Sequence, residues 1–501
     1  MKPSDTTSRR RFLQLFSSLA VAASGLLRSG AAQAAGSVGT AGGNLSDIPE
    51  LKAFKGVVVT QKNPLYKDWF WGMTWYKNKP RRYPKLIVQP LDEADVRLAV
   101  NYANQANLRI TMRSSGHNIT AAPLRDGVLT IDMSKFTGIS IDPRQKTVWA
   151  GPGVFSEQLN AALAEHGLAF PSAHTGFVTI GGYLLGGGMG WNMPAWGMAN
   201  NSVLALEVIL ADGRKVLASA NENPDLYWAA RGIGPAFFGV ILRYHLQAHN
   251  SPQIVQNIYY VPADKVEEGA AELVRLAPAS RNRTEILGSM GLFSMPGTPE
   301  DEKKWHWVLM LYSYAATRQE ALEAAAVFNE SEFLKREAFQ FSRNKPLNYM
   351  ELYAQLGDTD AYSILRSTEI AFFTDNPGRC LRKTIDALNT SNPLSFGFSV
   401  IACNPTVEGS ACYTYGAPNY IAWYLVSETA EEVEANKALA VRLHEDLKPD
   451  IKTYYMNEVD FDLFPEAPQK SFSPEKWQKL QAVRRRYDPH NRFMSYVGMD
   501  S

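Results

Sequence analysis

The sequence predicts a mixed α+β protein with more than one domain. The chain has 501 residues, which is long for a single domain. A strand–helix–strand pattern occupies residues 85–112, whereas residues 251–455 alternate helical segments with aromatic strands. This change of pattern near residue 250 predicts a domain boundary there.

Hydrophobic periodicity and turn residues predict the individual elements. Residues 85–89 form a short strand, and Asp92 can cap the helix that follows it. Residues 108–112 form the next strand. A hairpin is predicted around Asp212 and Gly213. The remaining predicted elements are strands at 128–132, 147–150, 204–210, 215–218 and 420–426, and helices at 265–276, 430–447 and 474–487.

The N-terminal 34 residues are typical of an export signal. Arg9, Arg10 and Arg11 precede an apolar stretch at 15–27 and a small-residue cleavage site at 32–34. Adjacent arginines indicate the twin-arginine pathway. The apolar stretch is too short for a membrane anchor and contains Ser and Gly. We therefore expect a signal peptide at 1–34, a linker at 35–50, and a periplasmic or secreted protein that partners the twin-arginine machinery.

Composition and cysteines narrow the class of protein. Charged residues make up 20% of the chain and the net charge is +1, which does not favour a nucleic-acid partner. Cys403 and Cys412 flank a turn-rich segment, so we predict a disulfide between them, with two unpaired thiols as the alternative. Cys380 is the third cysteine, and no His/Cys spacing indicates a metal site.

The loop at 113–118, with the sequence Arg-Ser-Ser-Gly-His-Asn, is the most informative motif. It follows a predicted strand, and its small residues let backbone N–H groups approach phosphate oxygens closely. His117 can act as a nucleophile toward an electrophilic carbon of a cofactor ring. The loop therefore indicates a bound flavin, although a surface turn with an isolated histidine is the simpler alternative.

A glycine-rich segment at 171–191 is the second motif. It contains no G-x-G-x-x-G spacing, which disfavours a Rossmann dinucleotide site. Glycines this dense are typical of backbone packed against a flat ligand. Turns that need a positive φ angle are the alternative explanation.

These motifs and three others occur in an order that resembles one known family. The others are residues 150–153, residues 225–240 with Asp-Leu-Tyr-Trp and Phe-Phe-Gly-Val, and residues 487–493 with Tyr-Asp-Pro-His-Asn-Arg-Phe. Together they resemble the berberine-bridge-enzyme-like branch of the vanillyl-alcohol-oxidase superfamily of FAD oxidoreductases. The resemblance implies a PCMH-type FAD-binding domain of two α+β subdomains at 51–250. It also implies a substrate-binding domain with an antiparallel sheet covered by helices at 251–455, and a segment at 456–501 that returns to the FAD domain.

The resemblance implies that FAD is attached covalently through His117 only. Many relatives have a second attachment through a cysteine, but Thr175 occupies that position here and cannot form the thioether. Ser114, Ser115 and Gly116 would bind the pyrophosphate. The other cofactor-binding residues that we expect are Arg113, Asn118, Gly151, Val178, Gly181, Gly182, Gly187, Val240, Asn457 and Asn491.

The resemblance also points to a catalytic base. Relatives carry an Asn-Tyr pair followed by an acidic residue, with the tyrosine as base, and here Glu458 occupies the tyrosine position. Burial could raise the pKa of this carboxyl toward the working pH. The alternative is a surface glutamate without a role, in which case His174, Tyr455 or Tyr413 becomes the candidate.

The function implied is an exported FAD-dependent oxidoreductase acting on a small molecule. Hydride would pass to flavin N5 from a carbon next to an alcohol, phenol or amine group. The small Val178 favours reoxidation by O2 with formation of H2O2. The alternatives are a dehydrogenase that passes electrons to a quinone or cytochrome, and a flavin-loaded binding protein without turnover. The export signal and the missing nucleotide fingerprint disfavour an NADPH reductase.

Overall fold

A computed structural model of the chain describes residues 48–77, 79–295, 297–299, 302–355, 366–403, 411–414 and 416–499. The expected signal peptide at 1–34 and most of the expected linker at 35–50 lie outside these residues. Among the helices of the described part, none is long and apolar enough to cross a membrane.

Strands and helices are numbered along the described chain. The strands are β1 Val57–Thr60, β2 Leu86–Gln89, β3 Ile110–Arg113, β4 Leu129–Asp132, β5 Ile139–Asp142, β6 Thr147–Ala150, β7 Leu168–Ala169, β8 Val203–Ile209, β9 Lys215–Ser219, β10 Val240–Gln247, β11 His249–Asn250, β12 Gln253–Pro262, β13 Thr284–Phe293, β14 Lys304–Ala315, β15 Phe339–Leu347, β16 Arg366–Thr374, β17 Phe396–Ile401, β18 Asn419–Ser427 and β19 Thr453–Val459. The α-helices are α1 Tyr66–Gly72, α2 Glu93–Gln105, α3 Ser156–Ala164, α4 Ile180–Leu185, α5 Met193–Trp196, α6 Pro224–Ala230, α7 Val266–Leu276, α8 Arg318–Asn329, α9 Glu332–Glu337, α10 Tyr349–Gln355, α11 Pro377–Leu388, α12 Ala430–Leu447, α13 Ala467–Lys470 and α14 Pro474–Tyr487.

The first sheet contains the strand–helix–strand unit predicted from the sequence. Its strand order is β1-β2-β4-β3, and both β2 and β3 run parallel to β4. Helix α2 connects β2 to β3 and begins at Asp92, whose side chain accepts a hydrogen bond from the Asp95 amide at 3.0 Å. The apolar face of α2 is buried against this sheet through Val96, Ala99 and Val100. The 113–118 loop therefore begins at the carboxyl end of β3, a strand that is fixed in this sheet.

The second sheet has the order β5-β6-β10-β8-β9 and is antiparallel. Asp142 ends β5 by accepting hydrogen bonds from the amides of Arg144 and Gln145 at 2.9 and 3.0 Å, which forms the predicted turn. Strands β8 and β9 form the predicted hairpin, with Ala205 opposite Ser219. These two sheets with their helices are the two α+β subdomains expected for the first domain.

The third sheet is larger and forms the second domain. It has eight strands in the order β15-β12-β14-β13-β17-β18-β16-β19, and every neighbouring pair within the described residues is antiparallel. Helices α7, α8, α11 and α12 pack on it. The expected α+β class, with an antiparallel sheet covered by helices, is confirmed.

The chain crosses back to the first domain after this sheet. Strand β19 is an edge strand of the large sheet, so the boundary expected between residues 455 and 456 divides a strand. Farther on, Ile110 of β3 donates its amide to the Arg492 carbonyl at 2.7 Å and accepts from the Met494 amide at 2.9 Å. Phe493 is fully buried beside this strand. The last residues thus extend the packing around the 113–118 loop.

The disulfide expected between Cys403 and Cys412 is wrong for this structure. Cys412 is a buried free thiol whose Sγ donates to the Ala229 carbonyl at 3.2 Å. Its burial raises the pKa of the thiol well above the usual value. The flanking turn chemistry predicted proximity of the two cysteines, but Cys412 faces the first domain instead.

Candidate active site

A cavity of about 320 Å³ is lined by both domains. The first domain contributes the 113–118 loop and the glycine-rich segment at 173–185, and the large sheet contributes residues from β16 to β19. Cavities at such domain junctions are the usual place for small-molecule and cofactor sites.

The side chain of Arg113 stabilises the 113–118 loop. Its guanidinium contacts the Asp132 carboxylate at 2.9 Å and donates to the Ser115 carbonyl at 3.1 Å. Gly116 has a φ of +72°, and a Cβ at this position would lie 2.2 Å from the Met73 carbonyl oxygen. Only glycine fits this turn. Ser114, Ser115 and Asn118 also line the cavity, so the loop presents small side chains and backbone to it.

His117 lies at the end of this loop and faces the cavity. Its ring stacks on Trp75 with centroids 4.7 Å apart, and Phe177 lies 5.2 Å away. Burial lowers the pKa of His117 to about 4, so its imidazole is neutral near pH 7. A neutral imidazole has a free lone pair, which is the form that can act as a nucleophile.

The glycine-rich segment contacts the loop directly. The Thr179 hydroxyl donates to the Ser115 hydroxyl at 3.1 Å. A Cβ at Gly181 would lie 2.4 Å from Ser114 Oγ and 2.8 Å from the Pro152 carbonyl oxygen, so the approach of the two loops requires glycine. A Cβ at Gly182 would instead project into open space. The two loops therefore form a cradle of exposed backbone.

Four expected cofactor-binding residues do not line the cavity among the described residues. Gly151, Gly187 and Val240 do not line it, whereas Pro152, Gly239 and Ile241, which are sequence neighbours of Gly151 and Val240, do. Asn491 is exposed, in a turn where its amide donates to the Asp488 carbonyl at 3.1 Å. Thr175, Val178, Gly181, Gly182 and Asn457 do line the cavity.

Glu458 lies on β19 at the other end of the cavity. Its Oε2 accepts a hydrogen bond from Tyr424 at 2.8 Å and one from Tyr420. Burial raises the pKa of the Glu458 carboxyl, while the two phenol donors and the nearby His174 act in the opposite direction. The carboxyl group thus receives two hydrogen bonds from the protein and is half-buried in the cavity wall, unlike the surface glutamate of the alternative interpretation.

Tyr455 and Asn457 connect the two ends. The Tyr455 hydroxyl accepts hydrogen bonds from the Met189 amide at 2.9 Å and from Asn457 Nδ2 at 3.1 Å. Asn457 also donates to the Tyr183 carbonyl at 3.1 Å. Burial raises the pKa of Tyr455 well above its usual value. Its hydroxyl therefore positions β19 against the glycine-rich segment and is a poor proton acceptor.

His174 is held by a carboxylate that the sequence analysis missed. Its Nε2 lies 2.9 Å from Oε1 of Glu285, which is completely buried on β13. Oε2 of Glu285 accepts the Asn192 amide at 2.9 Å and the Tyr314 hydroxyl at 3.0 Å. The available signal was a charged residue inside an apolar strand, which often marks a paired buried group. Tyr413, the last candidate base, donates its hydroxyl to the Tyr454 carbonyl at 3.2 Å.

A comparison with protein families identifies the class of protein. A family model described as an FAD binding domain matches residues 84–219, which include both loops of the cradle. The chain therefore contains an FAD binding domain. The cradle of bare backbone at Gly182 and the neutral His117 beside it fit a large flat cofactor of this kind.

Part of the chain is similar to curated oxidoreductases. The FAD-linked oxidoreductase janO of Penicillium janthinellum is 30% identical over 269 residues, which are 53% of this chain and 58% of that protein. The (R)-6-hydroxynicotine oxidase of Paenarthrobacter nicotinovorans is 33% identical over 196 residues, which are 39% of this chain and 43% of that protein. The chain thus spans about half the length of the curated relatives it matches.

The solved structure of Physcomitrella patens BBE-like 1 has the same fold. The two chains superpose with a TM-score of 0.75 at 20% identity, over 89% of this chain and 97% of that chain. This chain thus contains an FAD binding domain and has the fold of the BBE-like structure. The resemblance predicted from the order of the motifs is confirmed.

Proposed function

We propose that the protein is an FAD-dependent oxidoreductase that oxidises a small molecule between the cradle and the large sheet. The observation that carries this proposal is the continuity of the cavity. One end is built from the backbone of the FAD binding domain, and the other presents Glu458, Tyr420 and Tyr424. When bound, FAD would supply the acceptor for a hydride from the substrate.

The residues that would hold FAD are those of the cradle. Ser114, Ser115 and Gly116 line the cavity and would bind the pyrophosphate through their backbone, and the open space at Gly182 would admit a flat ring. We propose covalent attachment through His117 alone. The neutral imidazole supports this role, and Thr175 has no thiol with which to form a second bond.

We propose that Glu458 takes the proton of the substrate's alcohol, phenol or amine group. A base must be ionised at working pH, and the hydrogen bonds from Tyr420 and Tyr424 favour the carboxylate form. Burial acts against ionisation and raises the pKa of Glu458 toward the range in which a base is effective. Tyr413 and Tyr455 are weaker candidates because burial keeps both phenols protonated.

We propose that O2 reoxidises the enzyme with formation of H2O2. Val178 is a small β-branched side chain in the cavity lining, and a side chain of this size would leave room for O2 to approach a bound cofactor. A periplasmic quinone or cytochrome would be the acceptor if this proposal fails. Export by the twin-arginine pathway to the periplasm is a further proposal, which rests on the arginines and apolar stretch of residues 9–27.

An anaerobic screen of the purified holoprotein tests the oxidoreductase proposal. Amines, phenolic alcohols and oligosaccharides are added in turn, and bleaching of the oxidised flavin absorbance is followed. Bleaching by one class supports the proposal, and mixing the bleached protein with air then separates an oxidase, which recovers fast, from a dehydrogenase. A flavin that no compound bleaches would favour a binding protein without turnover.

Acid precipitation tests the covalent link. A yellow pellet is expected from the wild-type protein, and a colourless pellet from His117→Ala. His166→Ala is the matched control because His166 is exposed and does not line the cavity. Flavin that remains entirely in the wild-type supernatant would contradict covalent attachment. A flavin peptide that contains a cysteine would contradict attachment through His117 alone.

A further inference from the structure

The segment between β1 and β2 carries a concentrated positive charge. Residues 62–85 contain seven Lys or Arg residues and one acidic residue, Asp68, whereas the net charge of the whole chain is +1. Helix α1 lies within this segment. Positive charge gathered on one stretch of surface attracts anions more strongly than the same charge spread over the chain. An anionic partner is therefore the kind that this segment fits.

Contacts within and beside the segment fold it into one unit. Tyr66 and Phe70 are the buried residues of α1. The Tyr66 hydroxyl donates to the Pro84 carbonyl at 2.6 Å, and Gln61 Nε2 donates to the same carbonyl at 3.0 Å. The Tyr83 ring stacks on Phe70 with centroids 5.2 Å apart. Both ends of the segment are therefore held beside α1, and its exposed side chains belong to one surface.

Five cations of the segment are exposed and make no ion pair with any residue that the structure describes. They are Lys62, Lys67, Lys77, Arg81 and Lys85. The other two are engaged, since Arg82 pairs with Asp462 at 2.7 Å and Lys79 donates to a backbone carbonyl of the segment at 2.5 Å. An exposed carboxylate from outside the segment, Asp126, accepts a backbone amide of the segment at 2.8 Å. Asp68 and Asp126 thus neutralise only part of the positive charge.

Two aromatic side chains are exposed among these cations. Trp71 is 53% exposed and is the only exposed tryptophan of the described residues, and Tyr83 is 46% exposed. Lys79 Nζ lies 5.3 Å from the centroid of the Trp71 ring. Tryptophan and tyrosine favour the boundary between lipid headgroups and acyl chains, because each side chain has an apolar body and a polar group. Exposed aromatic rings among basic side chains are typical of surfaces that bind anionic membranes.

The composition of this surface fits a lipid bilayer better than a protein partner. Four of the five exposed cations are lysines. Lysine is depleted at protein–protein interfaces, and its compact ammonium group is strongly hydrated. At a membrane the ammonium group stays hydrated among the headgroups while the aliphatic stem covers apolar atoms. These side chains therefore add to the affinity for an anionic bilayer.

We propose that the exposed face of residues 62–85 binds the folded protein to an anionic lipid surface. The five exposed cations contact headgroup phosphates, and Trp71 and Tyr83 enter the boundary with the acyl chains. These seven side chains are not among the described residues that line the cavity, so the proposal does not depend on the proposed function. Lipid binding and oxidation of a substrate are therefore measured separately.

Co-sedimentation of the purified holoprotein with lipid vesicles tests the proposal. We expect binding to mixed phosphatidylglycerol and phosphatidylcholine vesicles to be about tenfold or more tighter than to phosphatidylcholine alone, since each cation near the surface adds about fivefold. The apolar stretch at 15–27 can also bind lipid, so the contact is located by acetylation of lysines and mass spectrometry. Anionic vesicles should protect Lys62, Lys77 and Lys85 from acetylation. Lys345, which is exposed on β15, should stay as reactive as it is without vesicles.

Charge reversal gives a matched comparison. The double variant Lys67→Glu with Arg81→Glu should bind the anionic vesicles about tenfold or more weakly, because two of the cations are reversed. Arg318→Glu with Lys345→Glu reverses one Arg and one Lys on exposed positions of the second domain, and it should bind as the wild type does.

Equal affinities of the two double variants would overturn the proposal, and so would full reactivity of Lys62, Lys77 and Lys85 in the presence of anionic vesicles. Retention on heparin without binding to the vesicles would also overturn it, and would assign the surface to a soluble polyanion. The protection pattern of the wild-type protein decides alone if the first variant does not fold.

Discussion

Burial and the hydrogen bonds from Tyr420 and Tyr424 determine the pKa of the Glu458 carboxyl. If it is the base, Glu458→Gln keeps the side-chain shape and removes the proton acceptor. We expect flavin reduction to slow by about 10²–10⁴-fold, the usual contribution of general-base catalysis. Anaerobic stopped-flow measurement with a substrate found in the screen gives this rate.

FAD content and thermal unfolding should change little in that variant, since the cradle is untouched. Glu431→Gln serves as the control for loss of one exposed carboxylate. A reduction rate close to that of the wild type would remove Glu458 from the mechanism and make His174, which Glu285 orients, the next candidate.

The hydrogen bond from Tyr424 predicts a shift in pH dependence. The base is active when ionised, so kcat/KM should rise with pH through the pKa of Glu458, which burial places above the usual 4.5. The Tyr424 hydroxyl favours the ionised form and lowers this pKa. Tyr424→Phe removes that donor, and the rising limb should therefore move to higher pH.

Tyr102→Phe, on the first-domain helix α2, is the control and should leave the pH profile unchanged. If Tyr424→Phe leaves the rising limb in place or moves it to lower pH, a different group controls the rate.

Sequence analysis found the functional residues that belong to contiguous motifs and missed those that are defined by contacts between distant parts of the chain. His117 and Glu458 were found because each occupies a position in a contiguous motif. Glu285 was missed because its partner is distant in sequence. Glu285 lies 111 residues after His174. Local sequence patterns do not predict such contacts.

At the scale of elements, local signals predicted the helices and hairpin well. Helix α2 begins after its predicted cap, Asp92, and α12 and α14 have the expected bounds. Strand order was not predictable, because β4 inserts between β2 and β3 by a long-range pairing. Strand β19, which spans the boundary expected at residue 455, is likewise recognised as an edge strand only through its pairing with β16.

The contact between the two loops of the cradle gives a prediction at this scale. In Gly181→Ala the new Cβ would meet Ser114 Oγ, which can rotate, and the Pro152 carbonyl, which belongs to the backbone and cannot. The loops must separate, at a cost of about 1–3 kcal/mol for such overpacking. We expect a lower FAD content per chain, measured from the absorbance of flavin released by proteolysis.

Gly138→Ala is the matched control, since its Cβ would meet no atom within 4 Å. Normal FAD content in Gly181→Ala would show that the spacing of the loops does not govern cofactor binding.

At the scale of the whole molecule, the C-terminal residues pack against the strand that precedes the 113–118 loop. Residues 488–494 follow the last helix and pair with β3, the strand that leads into the 113–118 loop. Asp488 fixes this turn by accepting the amides of Arg492 and Phe493 at 2.6 and 2.8 Å. The family motif at 487–493 therefore has a structural explanation. It includes Asn491, which is exposed and outside the cavity.

Phe493→Ala tests this coupling between the chain end and the cofactor site. Phe493 is fully buried next to Ile110, so truncation should leave a cavity and destabilise the protein by about 3–5 kcal/mol. Because β3 carries the loop with His117, the fraction of covalently bound FAD should fall as well. Urea unfolding and the colour of the acid pellet measure the two effects. His490→Ala, on an exposed residue of the same segment, should change neither. A destabilised variant that still retains all of its flavin would show that the chain end stabilises the fold without positioning the loop.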